Sequence, residues 1–179
     1  MIETPRLLLR KYRESDLADL YEYLSDPEVV RFEPYKPMTM DEVRKDLIHR
    51  CEADDIIAIE LKQENKMIGN LCLSPRECYA LELGFVLNRQ YWNKGYAIES
   101  CKAALRHAFS KGIHRIYAQC DPMNASSWHL LECLGFQREA HFRQNIYLWT
   151  DETGKPIWKD TYVYAIRSGS YTLNTASEY

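Results

Sequence analysis

Apolar residues recur along the chain with two different periods, and each switch of period marks a new element. Arg6 to Tyr12 predicts a short strand, after which Ser15 caps a helix whose Leu17, Leu20, Tyr21 and Leu24 share one face until Asp26-Pro27 ends it. Thr39 and Glu42 have the spacing of a capping box, opening a second helix with Val43, Leu47 and Cys51 at helical spacing. An aromatic and proline-containing stretch, Phe32 to Pro37, lies between the two. Residues 56–61, 66–74 and 80–87 then read as a strand meander with a polar turn at Glu64-Asn65.

The period changes again at Gly95. Ile98, Cys101, Leu105, Ala108 and Phe109 trace the stripe of a helix that runs to Lys111 and stops at Gly112. Residues 114–120 alternate as a strand, and Asn124 caps a short helix through Leu134 with Gly135 just beyond. Two long strands, near 140–150 and 157–167, flank the turn Thr150 to Pro156 as a hairpin. This order predicts an α/β (α+β) domain over residues 1–167: a mixed, mostly antiparallel sheet of about six to seven strands with helices on both faces. Residues 168–179, rich in Ser and Thr, read as a tail, free or docked on a second copy in a homodimer.

Composition narrows the function classes. A chain of 179 residues with 46% hydrophobic and 27% charged residues fits one globular core and excludes a largely disordered protein. The N-terminus has no signal-peptide pattern and no apolar run approaches the ~20 residues of a membrane span, so a cytoplasmic protein without a membrane partner is expected. Six cysteines form no CxxC pair, and no metal site is expected. A net charge of −3 without a basic tract argues against nucleic acid as partner. Residues 14–28 carry Glu14, Asp16, Asp19, Glu22, Asp26 and Glu28 with no Lys or Arg, either a solvated helix face or a wall that attracts a cation.

Where the strand at 80–87 passes into the helix at 95, the helix start offers unpaired N–H groups to an anion. The turn Tyr91-Trp-Asn-Lys-Gly-Tyr-Ala97 suits a pyrophosphate: Gly95 allows close backbone approach, Lys94 adds charge, and Ala97 lets the helix start tightly beside Tyr96. An ordinary strand-to-helix turn has the same spacing.

Glu82-Leu-Gly-Phe-Val-Leu87 followed by this turn resembles the acetyl-coenzyme A signature of GNAT acetyltransferases, in particular their ribosomal-protein, Rim-type branch. Asn124-Ala-Ser-Ser127, Leu131 to Phe136, the opening Arg6-Leu-Leu-Leu-Arg10 and Trp158-Lys-Asp160 resemble the same branch in the same order. Asn93 departs from it, standing where glycine is usual; asparagine tolerates the left-handed backbone the turn needs. Cys133 replaces a usual lysine.

The resemblance implies a GNAT fold, in which the strand ending near Leu87 and the strand at 114–120 splay apart around acetyl-CoA. It also implies direct acetyl transfer to a primary amine, without an acetyl-cysteine. Glu82 is then the candidate base, acting through water, or else it orients the acceptor or pairs with an arginine. Leu131 closes the tyrosine route used by many GNAT enzymes, and Ser127 is the candidate acid, unless its hydroxyl serves only the helix start. Phe85 or Val86 would offer a backbone N–H to the developing oxyanion. Leu87 continues that cofactor strand, and Asn124 either caps its helix or also meets the pantetheine arm. Phe32, Tyr35, Tyr147, Trp149 and Trp158 are candidate lining of the acceptor pocket, or core. The acceptor is expected to be a peptide N-terminus, alternatively a polyamine, amino sugar or antibiotic; a catalytically weak acyl-CoA-binding module is the third reading.

Overall fold

The computed structural model describes residues 1–171. Its elements are β1 (Ile2–Glu3), β2 (Leu7–Arg10), α1 (Leu17–Leu24), α2 (Met40–Glu52), β3 (Ile56–Leu61), β4 (Lys66–Arg76), β5 (Ala80–Leu87), α3 (Tyr96–Ser110), β6 (Arg115–Cys120), α4 (Ala125–Cys133), β7 (Gln137–Thr150) and β8 (Pro156–Arg167). The eight strands form one sheet in the order β1-β2-β3-β4-β5-β6-β8-β7. The count exceeds the six to seven expected because β1, too short to show a period, pairs with β2 through Ile2 and Glu3. Every neighbouring pair is antiparallel except β5 and β6.

Alternation along the strands divides the apolar side chains between two cores. Leu7, Leu9, Ile59, Leu83, Leu87 and Ile116 pack with Cys101, Ala104 and Leu105 of α3 and Leu131 of α4. On the opposite face Ala58 and Met67 pack with Leu20, Tyr23 and Leu24 of α1 and Val43 and Leu47 of α2. At burials like these each large side chain contributes about 1.5–3 kcal/mol of transfer free energy.

Local signals were obeyed at most helix ends. The Thr39 hydroxyl accepts from the Glu42 amide at 3.4 Å while the Glu42 carboxylate accepts from the Thr39 amide at 2.8 Å, closing the capping box. Asn124 Oδ1 accepts from the Ser127 amide at 3.2 Å. Ser15 is not the cap of α1: a 3-10 turn, Glu14–Asp16, precedes the helix, because the Asp16 carboxylate is drawn inward by Arg10.

The acidic stretch is largely consumed by such pairs. Asp16 and Glu60 flank buried Arg10, Asp19 and Glu22 share Lys66, and Asp26 meets Arg89. Most of it therefore fastens α1 to the sheet rather than forming a wall for a cation. Of the expected tail, Ser168–Ser170 form a 3-10 turn and Tyr171 packs on Phe109 of α3 with ring centroids 5.0 Å apart; residues 172–179 lie outside the described residues.

Candidate active site

Parallel pairing between β5 and β6 lasts three residue pairs, Ala80 with Arg115, Leu81 with Ile116 and Glu82 with Tyr117, and then stops. Beyond Glu82 the strands diverge, since β6 continues against β8 while β5 stays on β4. The Asn88 amide bonds to the Ile68 carbonyl of β4, so strand alternation turns the Val86 amide toward β4 as well. By the same alternation the Phe85 amide points the other way, toward the V.

A cleft of about 940 Å³ occupies the V and runs from the start of α3 to the loop between α1 and α2. Phe85, Val86, Leu87, Asn93, Gly95, Tyr96, Ala97, Asn124 and Ser127 all line it. At its α3 end the backbone turns through left-handed conformations at Asn93 (φ 59°) and Gly95 (φ 81°). Among the described residues, the amides of Asn93 to Ile98 have no backbone acceptor. Unpaired N–H groups at a helix N-terminus fit a pyrophosphate, and the apolar V fits a pantetheine arm, so this chain's residues match acetyl-CoA. Lys94 turns its ammonium over the Tyr91 ring, 5.1 Å from the centroid, outside the cleft lining.

The sequence reading missed Arg6 as a partner of this turn. Its guanidinium donates to Glu99 Oε2 at 2.6 Å and to the Lys94 carbonyl at 3.0 Å, and lies 4.5 Å from the Tyr96 ring centroid. The signal was present in the opening motif, but nothing in the spacing says that residues 6 and 94 meet.

Glu82 sits at the apex of the V. Its Oε2 accepts from Arg76 Nη2 at 2.6 Å, Arg76 Nε at 3.1 Å and the Tyr117 hydroxyl at 3.3 Å, and its Oε1 from Gln119 Nε2 at 3.0 Å. The expected arginine partner is thus Arg76. Across the V, Ser127 of α4 and Cys120 of β6 both line the cleft, and burial pushes the Cys120 thiol up to about 11. A thiol held protonated at neutral pH is no nucleophile, in keeping with transfer that forms no acetyl-cysteine.

At the far end Phe32 lines the cleft, as expected, whereas the hairpin contributes Ile146 and Leu148 rather than Tyr147 and Trp149. Tyr147 is half exposed and packs edge-on against Trp158, centroids 5.4 Å apart. Tyr35 and Trp149 line a separate cavity of about 190 Å³ beside Lys36. The cause is the pairing with β8: Ile146 lies opposite Lys159, which itself lines the cleft, and Leu148 follows two residues on. Between Phe142 and Ile146 the register shifts, Gln144 takes φ 46° and its amide bonds to Asp160 Oδ1 at 2.9 Å. Without a glycine to mark it, this bulge is invisible in the sequence.

Glu33 also lines the cleft beside Phe32 and was not singled out from sequence. Burial pushes its carboxyl up to about 7, only partly offset by a Tyr35 hydrogen bond and the Arg50 charge. No helix of the described residues is long and apolar enough to cross a membrane.

Comparison with known proteins agrees with this geometry. Residues 6–137 match the acetyltransferase (GNAT) domain. The uncharacterized N-acetyltransferase YnaD of Bacillus subtilis (strain 168) is 32% identical over 169 residues, 92% of this chain and 95% of its own. The [ribosomal protein uS5]-alanine N-acetyltransferase of Escherichia coli (strain K12) is 28% identical over 96% of this chain and 92% of its own. The crystal structure of a GNAT-family acetyltransferase from Bacillus anthracis superimposes with a TM-score of 0.85 at 32% identity, covering 94% of this chain and 98% of that one. With the splayed strands, the amide-lined helix start and this likeness in hand, the chain belongs to the GNAT family and is an acetyl-CoA-dependent N-acetyltransferase.

Proposed function

We propose that the acceptor is the α-amine of a peptide or protein N-terminus and that the enzyme works in the cytoplasm. The observation that carries this is the make-up of the cleft, whose lining sets apolar Phe32, Ile146 and Leu148 beside the acidic Glu33 and Glu82. A single ammonium with an adjoining apolar side chain satisfies both features. The E. coli relative that acetylates an alanine of uS5 supports the same choice.

When bound, acetyl-CoA supplies an activated acetyl group. The chain's own residues do the rest. The amides at 93–98 and Asn124 hold the cofactor, and the Phe85 N–H is the donor for the oxygen on which charge develops. Glu82, fixed by Arg76, Tyr117 and Gln119, presents a negative end to the ammonium. Ser127 gives a proton to the departing sulfur, in the position where Leu131 excludes a tyrosine from that task.

The test is thiol release from acetyl-CoA against a panel of N-terminal peptides, polyamines and aminoglycosides. Turnover confined to peptides supports the proposal, and turnover confined to polyamines or amino sugars replaces it with the small-molecule reading. Cofactor binding without turnover on any amine would leave an acyl-CoA-binding module.

A further inference from the structure

Two carboxylates face the acceptor end of the cleft, and their surroundings push them toward different roles. Glu82 already accepts four hydrogen bonds, two of them from Arg76. A proton arriving there must displace a guanidinium held at 2.6 Å. Glu33 comes from the loop between α1 and α2, is partly buried, and Arg50, whose charge acts on it, is paired with Asp46.

We propose that Glu33 is the proton acceptor for the acceptor amine, and that Glu82 instead holds the ammonium in place by its charge. This rests on the acetyl-transfer reading above and assigns its proton step.

The chemistry of the amine agrees. An α-ammonium has a pKa near 7.7–8.0 and a lysine-like ammonium near 10.4. Against a carboxyl pushed up to about 7, the first gives up its proton almost without cost. The second is disfavoured by about three units. Two environments that separate the acidities of neighbouring carboxyls are the usual mark of divided labour between them.

The groups around Glu33 offset its charge only in part. Arg50 and Asp46 of α2 pair with each other, and Tyr12 and Tyr35 are neutral. On β8, Lys159 is held by Asp121 and Asp160 by His141. Glu28, Arg31 and Glu82 complete the cleft's charged lining at this end, Arg31 lying over the Phe32 ring at 5.3 Å.

The proton balance closes. The ammonium first loses one proton to the Glu33 carboxylate, which later returns it to water. The freed nitrogen lone pair forms the C–N bond as the C–S bond breaks, and the second proton lost by nitrogen ends on the sulfur through Ser127.

The experiment uses the full chain with acetyl-CoA and an alanine-led hexapeptide, in the wild type, Glu33→Gln, Glu33→Asp and Glu82→Gln, with kcat followed from pH 5.5 to 9. The expected result is an ascending limb near pH 7 that Glu33→Gln removes together with about 100-fold of kcat. Glu33→Asp restores part of the rate, and Glu82→Gln raises KM and keeps the limb. Carboxyl NMR of the protein alone supplies a readout independent of turnover: one signal titrating near 7, missing in Glu33→Gln. A limb lost in Glu82→Gln and kept in Glu33→Gln overturns the assignment, as does a Glu33 signal titrating near 4.5. Cofactor binding without turnover of any amine by the wild type overturns the acetyl-transfer reading, and the assignment with it.

Discussion

Arg6 and Glu99, far apart in sequence, are joined by a 2.6 Å ion pair that ties the approach to β2 to the first turn of α3. The same guanidinium donates to the Lys94 carbonyl, so one side chain braces the turn whose amides face the cleft. Burial alone would raise Glu99, but bonds from Thr4 and Arg6 outweigh it and hold the carboxyl below its ordinary value. Arg6→Ala therefore loosens the turn. Its affinity for CoA, measured by calorimetry, should fall about five- to tenfold, equivalent to about 1 kcal/mol, with kcat at saturating cofactor nearly unchanged.

Ser127→Ala should lower kcat about 10- to 100-fold and leave cofactor affinity within about threefold, because Asn124 still caps α4 from its own side chain. Its neighbour Cys120 provides a companion measurement. With its thiol pushed up to about 11, iodoacetamide at pH 7 should label the exposed Cys78 and Cys133 and leave Cys120 unmodified. Rapid labelling of Cys120 in an intact-mass experiment would contradict that picture.

Glu33 also predicts a pH dependence of stability. The folded protein binds the Glu33 proton more tightly than the unfolded chain, whose glutamates titrate near 4.3. Stability from this group is thus complete below about pH 4.3. It is lost as pH rises through about 7, the folded value. Glu33→Gln should raise the melting temperature at pH 8, by about 1–3 kcal/mol of stability, and change it little at pH 4. An equal shift at both pH values would mean the carboxyl titrates normally.

Gly69 is required for close approach of β4 to β5. A methyl added there would lie 2.3 Å from the Val86 carbonyl oxygen and 2.9 Å from the Leu87 Cα, both backbone atoms that cannot swing aside. Gly69→Ala should cost about 2–3 kcal/mol and lower the melting temperature by roughly 5–10 °C in a calorimetric scan. Because the strain falls on the strand that carries the Phe85 amide, kcat should fall as well.

The parts legible in the sequence were those with strong local codes. The capping box at Thr39, the Asn124 cap and the stripe from Ile98 to Phe109 each depend on residues within a turn or two of one another. The amide-lined turn at 93–97 was likewise readable, since a left-handed Asn93 and Gly95 are needed to form it. What escaped depends on long-range placement. Arg6 meets Lys94 only through the sheet, and Glu33 acquires its character from burial beside Tyr35 and Arg50. The acidic run at 14–28 showed its charges but not their partners, which lie on β2, on β4 and just past β5.

The bulge in β7 has a consequence for how such an enzyme changes its substrate. Between Phe142 and Ile146 strand β7 holds two residues more than β8, an even number, so its side chains stay in phase and Ile146 comes out opposite Lys159 on the cleft side. Length can therefore be gained or lost inside the bulge while pairing with β8 keeps Ile146 and Leu148 facing inward. The hairpin can change its reach over the acceptor without turning its walls over, a route to new substrates that leaves the acetyl-transfer machinery out of the trial.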